Sequence, residues 1–546
     1  MKIKIVHLEI ACACLLGLQL HASTLYVDVN GTNPTPPFAD WSTAATNIQD
    51  AVNISSVGDV VLVTNGIYAT GGRRWLDTTT NRVILTNSIT LQSVNGPGVT
   101  WIVGNRVVGT GSILTNGVRC VGMGNSAVLS GFTITNGEAG TGNYPSGGGV
   151  DYLAGAGSGL VTNCILINNL ATNSSGGGAC RVTLINCQLI GNCAAGGGGA
   201  ASCNLVNCLV SNNLATGTAT FTGGGGVYAG SAPTGGGATG ALSNCIVVGN
   251  ISAGYGGGVN GGASIACVFS NNVAPNGGGA YGATLKNCLV IANLATNGGG
   301  VYGGIISNCT VAVNTAIANG GGINGGGSAV GYNSIIYDNT APSNPNNTGA
   351  KFNNSCTIPI LAGEGITNDP AFTNLAGGDF HLSASSPCIN SGKNAFVSTA
   401  TDLDGNLRIS GGTVDIGCYE YQSPASIISY AWLQQYGLPT DGSADNADSD
   451  GTGMKNWQKW IAGLNPTNPA SVLAVQSPPA VSNTNGIKVS WQGVSSIVYY
   501  VQRSTDLSQS FTTIRSNVFG VVGAPTSITD TTATNAGPYY YRVGVQ

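Results

Sequence analysis

A short unit recurs along the middle of this chain, and that recurrence limits its fold more than any other feature. Asn-Cys pairs followed by aliphatic residues occur at Asn163-Cys164, Asn186-Cys187, Asn207-Cys208, Asn244-Cys245, Asn287-Cys288 and Asn308-Cys309, with Ala266-Cys267 as a degenerate copy. The cysteines at 245, 267, 288 and 309 are 22, 21 and 21 residues apart, and glycine triplets at 256–258, 277–279 and 298–300 keep the same beat. A period of this length marks a stacked repeat, in which one unit cannot bury its own apolar face.

The residues within the unit choose strand over helix. Alternating Cys288, Val290 and Ala292 place side chains on one face, and the glycines would break a helix. Strands this short must pair with their equivalents one repeat away, at about 4.8 Å, which gives parallel sheets around one core. The triplets supply tight corners. Asn250, Asn293 and Asn314 recur near a corner, where stacked amides can bond to one another along the axis. The fold class is therefore all-β, a right-handed parallel β-helix over 23–365. Before the repeats, Thr46 and Gln49 have capping-box spacing, with Ile48, Ala51 and Val52 as the apolar side of a short helix that would cover the open end of the first rung. Asp59 to Val63 then reads as a strand.

Residues 1–22 have the pattern of a signal peptide: Lys2 and Lys4, an apolar stretch from Ile10 to Leu20, and Ala22 before the cut. Export permits disulfides. Setting Cys12 and Cys14 aside from the 16 cysteines leaves fourteen, most of them one per repeat. Stacked free thiols are the first reading and disulfides between adjacent rungs the second. After residue 22 no apolar run reaches the ~20 residues of a spanning helix. A formal charge of −4 without a basic patch gives no footprint for nucleic acid.

The segment 48–68 and the repeats to about residue 340 resemble the pectin-lyase-like β-helix superfamily. The pairing of Leu289-Val290-Ile291-Ala292-Asn293 with Gly298-Gly299-Gly300-Val301 is also similar to repeats of polymorphic outer-membrane autotransporter adhesins, without their C-terminal membrane barrel. Further on, Asn368-Asp369-Pro370-Ala371-Phe372, Ser386-Pro387-Cys388-Ile389-Asn390-Ser391-Gly392, Asp402-Leu403-Asp404-Gly405-Asn406 and Val414-Asp415-Ile416-Gly417-Cys418-Tyr419-Glu420 resemble the choice-of-anchor Q domain. That resemblance implies a C-terminal cap of the β-helix over 366–422, on an exported bacterial surface protein. Asp402, Asp404 and Asp415 then read as a hydrogen-bonded group around Arg408, and Cys418 as a partner for Cys388.

Residues 423–474 form a linker. Within it, Asp448-Ser449-Asp450-Gly451-Thr452-Gly453 to Lys459 resembles the calcium loops of dockerin and thrombospondin type-3 repeats. Calcium wants several oxygen ligands and a late bidentate glutamate. Here Thr452 stands for an aspartate and Lys459 for that glutamate, which leaves Asp445, Asp448, Asp450 and Asn456 as a weakened calcium set. From Val475 to the end, Gly486 to Trp491, Tyr499 to Arg503 and Tyr539 to Val543 alternate in period two. This small C-terminal β-sandwich, 475–546, is similar to a fibronectin type III module, with Trp491 in its core.

Charged residues are only 7% of the chain, against about 25% in ordinary proteins. From Thr141 to Ile335 they are Asp151, Arg181 and Lys286 alone, too far apart in the repeat to share one rung face. Enzymes of the pectin-lyase-like superfamily cut acidic polysaccharides with clustered carboxylates, often holding calcium, and an Arg or Lys base. The nearest richer group is Arg73, Arg74, Asp77, Arg82, Arg106, Arg119 and Glu138, read as exposed charges on an insertion over the first rungs. The sequence therefore favours a secreted or cell-surface protein for non-catalytic display, adhesion or glycan binding, with extracellular polysaccharide or the cell envelope as partner. The alternative is a polysaccharide lyase or glycoside hydrolase, whose chemistry would lie between Arg73 and Asp151.

Overall fold

The computed structural model describes residues 22–74, 79–106, 117–139, 146–153, 158–219, 222–230, 240–360, 365–476, 486–495, 497–521, 524–534 and 537–546. The expected signal peptide, apart from Ala22, and Asp77 lie outside the described residues. The chain divides into two compact units, Met1–Leu209 with Ser231–Ala238, and Val210–Gly230 with Thr239–Gln546.

Each unit is built from short parallel strands that stack rung on rung, the ladder of a right-handed parallel β-helix. In the first unit one face holds Thr24–Val27, Val60–Val63, Thr90–Ser93, Val128–Ser130, Leu160–Thr162, Thr183–Ile185 and Asn204–Val206. A second holds Gly66–Tyr68, Thr100–Val103, Thr133–Thr135, Ile165–Ile167 and Gln188–Ile190. A third holds Thr80–Leu85, Val118–Met123, Val150–Tyr152, Ala179–Cys180 and Ala200–Ala201. Leu170–Ser175 and Cys193–Gly196 begin a short fourth face. The helix spans Ile48–Ile54, and its N-cap is Asn47 rather than Thr46. Asn47 wins because its Oδ1 reaches the Gln49 amide at 2.8 Å, which leaves the Gln49 side chain free for another task. Gln49 Oε1 accepts from the Ile84 amide at 2.7 Å and its Nε2 donates to the Ile84 carbonyl, so the helix satisfies backbone groups of the third face.

The second unit repeats the pattern. Its first face runs from Ala241–Ser243 through Thr284–Lys286 to Lys351–Asn353, and its second from Ile246–Val248 through Leu289–Ile291 to Gly365–Ile366. The third holds Val227–Tyr228, Val259–Asn260, Ala280–Tyr281, Val301–Tyr302, Ile323–Asn324 and Asn347–Thr348. The fourth holds Leu214–Ala215, Ile251–Ser252, Val273–Asn276, Leu294–Asn297 and Thr315–Asn319.

The Asn-Cys signature has a physical cause at the turn from first to second face. Asn244, Asn287, Asn308 and Asn333 all adopt positive φ, between 46° and 54°, a region asparagine tolerates better than most residues. The cysteine that follows turns inward. The Cys288 amide donates to Cys309 Sγ at 3.4 Å, while Cys309 Sγ lies 3.3 Å from the Ser307 carbonyl. Ser334 takes the same place one rung on, accepting from the Cys309 amide at 3.1 Å. All fourteen cysteines after residue 22 are free thiols, and burial pushes Cys120 and Cys203 up to about 12. Ala266 holds this turn at φ 52° with no polar side chain to ease it. Ala266→Asn is therefore expected to stabilise the protein by about 1 kcal/mol, read as a small rise in melting temperature.

A second buried ladder is made of amides. Asn293 Oδ1 accepts both the backbone amide (2.9 Å) and the Nδ2 (3.0 Å) of Asn272, while its own Nδ2 donates to the Phe269 carbonyl at 3.0 Å. Asn250, Asn314 and Asn339 continue the arrangement. Ala292, expected inside, is an exposed turn residue at φ 54°, because the strand ends at Ile291 and the chain must turn before Asn293.

Residues 366–422 lie along the flank of successive rungs. Phe380 and Cys418 pack with Leu289 and Ala312, while Leu382, Cys388 and Ile416 pack with Ile335 and Cys356. Cys388 and Cys418 thus sit in different clusters, and the expected pairing between them is not formed. Short helices follow at Tyr430–Gln435 and Asn456–Ile461. The C-terminal sandwich sets Ile487–Trp491 with Thr526–Asp530 against Val498–Ser504, Thr512–Phe519 and Tyr540–Val545. Trp491 is fully buried there, edge-on to Tyr499 at 5.7 Å. Among the described residues, no helix is long and apolar enough to cross a membrane.

Candidate functional site

Three charges of the first unit, Asp151, Arg181 and Arg119, meet in its interior. Asp151 lies on the third face in register with Gly122 of one neighbouring rung and Cys180 of the next. Arg181 follows Cys180, turns at φ 57°, and holds both Asp151 oxygens from Nη2, at 2.9 and 3.0 Å. Arg119 approaches from the other rung, 3.4 Å from Asp151 Oδ2. Its remaining donors reach the Gly147 carbonyl (2.9 Å), the Ser146 carbonyl (2.9 Å) and Asn81 Oδ1 (2.8 Å). Asp151 and Arg119 are fully buried and the Arg181 side chain is only 12% exposed.

This overturns the expectation that Asp151 and Arg181 are too distant to meet. The rung from Val150 to its partner Ala179 is longer than the 21-residue beat, and the two charges fall on adjacent rungs. It also corrects the reading of the earlier basic group as wholly exposed. Arg82 is buried, donating to the Val103 carbonyl at 2.8 Å and to the carbonyls of Gly71 and Gly104. Glu138 is buried as well, whereas Arg73, Arg74 and Arg106 are exposed. A buried carboxylate between two guanidiniums is an ion-pair network, costly to open and closed to a polymer.

The four calcium candidates do not converge. Asp445 accepts from Ser426 Oγ at 2.5 Å and the Ile427 amide at 3.0 Å. Asn456 donates to the Ala444 carbonyl and Ser449 Oγ, both at 2.9 Å. Asp448 accepts the amides of Gly451, Thr452 and Gly453. Asp450 is taken by Lys459, whose buried ammonium bonds its Oδ2 and donates to the Ser471 carbonyl at 3.1 Å. Burial works to raise the Asp450 pKa, yet Lys459 and Thr452 together hold it below the usual carboxylate value. Asn456 Oδ1 alone is left without a hydrogen-bond partner. The three carboxylates are already engaged and the Lys459 cation is built in beside Asp450, so the set does not fit calcium. Among the described residues, no group of three or more His, Cys, Asp or Glu is placed to hold a metal ion.

Of the acidic residues around Arg408, Asp402 accepts the amides of Asp404, Asn406 and Glu420, and Asp415 those of Asn390 and Tyr421. Arg408 itself donates to the carbonyls of Asp415 and Gly417. Burial pushes Asp415 up to about 7. Asp404 points elsewhere, to a group missed in the sequence: His381 lies between Asp379 (2.5 Å) and Asp404 (2.6 Å) and stacks on Tyr419 at 4.0 Å. Burial disfavours the charged ring, but Asp404 and then Asp379 more than offset it and raise its pKa. A raised folded pKa gives a stabilisation that is full below the free histidine value of about 6.5 and is lost as pH rises through the folded one. An NMR titration should place the His381 midpoint above that of a free histidine, and Asp404→Asn should lower it.

The chain matches no known family profile and no curated protein. Solved structures with a similar chain path include pectate lyase Pel9A, at 15% identity over 73% of this chain and 96% of that one, with a TM-score of 0.39. A rhamnogalacturonan lyase follows at 14% identity, 77% and 100% coverage and a TM-score of 0.32. The A-module of the Azotobacter vinelandii mannuronan C-5 epimerase AlgE4 stands at 11%, 59%, 95% and 0.27. Likeness this distant carries no argument about activity, and the parallel β-helix rests on the strand register of the chain itself.

Proposed function

We propose that this chain is an exported extracellular or cell-surface β-helix protein that displays its faces to glycan or cell envelope without cutting polysaccharide. The observation that supports this reading is the fate of Asp151, the sole acidic residue from Thr141 to Ile335. General acid or base work needs a carboxyl group within hydrogen-bonding reach of the substrate. Asp151 is fully buried and held by Arg181 and Arg119. Residues 366–422 are read as a choice-of-anchor Q-like cover for the rungs, 423–474 as a linker clasped by Lys459, and 475–546 as a fibronectin type III-like spacer or attachment module.

The test is a polysaccharide panel. The mature chain, with calcium added, is incubated with pectate, alginate, glycosaminoglycans and neutral glycans. New reducing ends and unsaturated uronate are read beside retention on each polymer. Retention without cleavage is expected; cleavage of any polymer would overturn the proposal.

A further inference from the structure

On the second unit, two rows of side chains flank the glycine corner between the fourth and third faces. Tyr255, Asn276, Asn297 and Asn319 are in register at the end of the fourth face. Asn260, Tyr281, Tyr302 and Asn324 are in register on the third. The corner between them has no room for side chains: a Cβ on Gly277, at φ 67°, would lie 2.2 Å from the Ala280 carbonyl oxygen. The corner therefore brings the rows close. Tyr255 meets Tyr281 at 4.7 Å between ring centroids, and Tyr281 meets Tyr302 at 5.3 Å with planes only 18° apart.

This strip is half-exposed and polar without charge. Tyr255, Tyr281, Tyr302, Asn276 and Asn297 are all partly open to solvent. Asn297 Nδ2 donates to Asn276 Oδ1 at 3.2 Å, so the carboxamides line up along the axis as the rings do. Among the described residues, none hydrogen-bonds the hydroxyls of Tyr255, Tyr281 or Tyr302. From Val210 to Tyr337 the one charged residue is Lys286, and it lies on the first face.

We propose that this tyrosine–asparagine strip binds a neutral polysaccharide chain lying along the β-helix axis. Rungs recur at about 4.8 Å, close to the length of one hexose in an extended glycan. Three successive rungs therefore each offer a phenol and a carboxamide to one sugar, and the next, with Asn319 and Asn324, offers two carboxamides. Aromatic ring edges pack against the C–H surfaces of the sugar, while phenol and amide groups bond its hydroxyls. An acidic glycan would lose hydration here and gain no counter-charge. The inference rests on the glycan-contact reading above and names its ligand class.

Affinity electrophoresis of the full chain through soluble neutral glucans, mannans, xylans and galactans tests it, with pectate and alginate as acidic comparators. Retention by a neutral polymer is expected, insensitive to salt, and weakened about tenfold by Tyr281→Ala or Tyr302→Ala. Circular dichroism checks that the variants fold; should alanine disturb the rungs, Tyr302→Phe and Asn297→Ala remove the hydrogen-bonding groups alone and should also weaken retention. Neutral retention unchanged in the Tyr281→Ala/Tyr302→Ala double variant, or retention by acidic polymers only, overturns the strip and leaves the non-cutting reading intact. Cleavage of a polymer overturns that reading and not the strip. Retention by none overturns the strip and the glycan contact together.

Discussion

Replacing Asp151 by alanine is expected to destabilise the first unit by roughly 3–5 kcal/mol, because it leaves the guanidinium groups of Arg119 and Arg181 without their shared carboxylate. Arg119 is the worse placed of the two, fully buried where Arg181 retains a little solvent. Arg181→Met should therefore cost less than Asp151→Ala, since Asp151 keeps Arg119 at 3.4 Å. Urea unfolding of the two variants, followed by circular dichroism, gives the order. An Asp151→Ala chain as stable as the wild type would mean that the network does not hold these rungs.

Lys459→Met is the second large effect. Methionine keeps most of the stem but leaves Asp450 buried with no cation, a loss of roughly 3–5 kcal/mol. In the wild type the Asp450 pKa is depressed, so the pair contributes above the unfolded value of 3.8 and fades as pH falls. In the variant the carboxylate favours its neutral form, and the deficit should be largest at neutral pH and shrink on acidification. Melting curves across pH measure this. Chelators should leave the wild-type melting temperature unchanged, because Lys459 already supplies the charge the loop needs. A melting temperature that falls on chelation would restore a metal to this loop.

The sequence carried the repeat clearly because each beat has its own cause: asparagine for a left-handed turn, cysteine for a small buried position, glycine for a corner. The amide ladder was legible at Asn250, Asn293 and Asn314 for the same reason. Trp491 was readable as core from the alternation of its strand. Irregular rungs were not legible. Asp151 and Arg181 looked remote because the first unit departs from the 21-residue beat, and only register brings them together. Lys459 was visible as a departure from the calcium pattern, but a sequence shows a missing ligand more readily than a replacement cation. His381 stood in the sequence only within the Phe380-His381-Leu382 stretch of the cover, with no role, since Asp404 reaches it from a turn 23 residues further on. The strip at Tyr281 and Tyr302 did leave a signal, one tyrosine just beyond each of the glycine triplets at 277–279 and 298–300. The strands Thr512–Phe519 and Thr526–Asp530 went unread because their polar, half-exposed residues lack a clean apolar alternation.

The most direct measurement pairs cleavage with stability in one variant. Wild type and Asp151→Asn, which keeps the shape of the side chain and removes its charge, are assayed for new reducing ends on acidic and neutral polysaccharides and melted under the same conditions. A structural Asp151 predicts no cleavage by either chain and a lower melting temperature for the variant. Cleavage by the wild type, abolished in an Asp151→Asn chain that melts unchanged, would contradict the account and make Asp151 a catalytic residue.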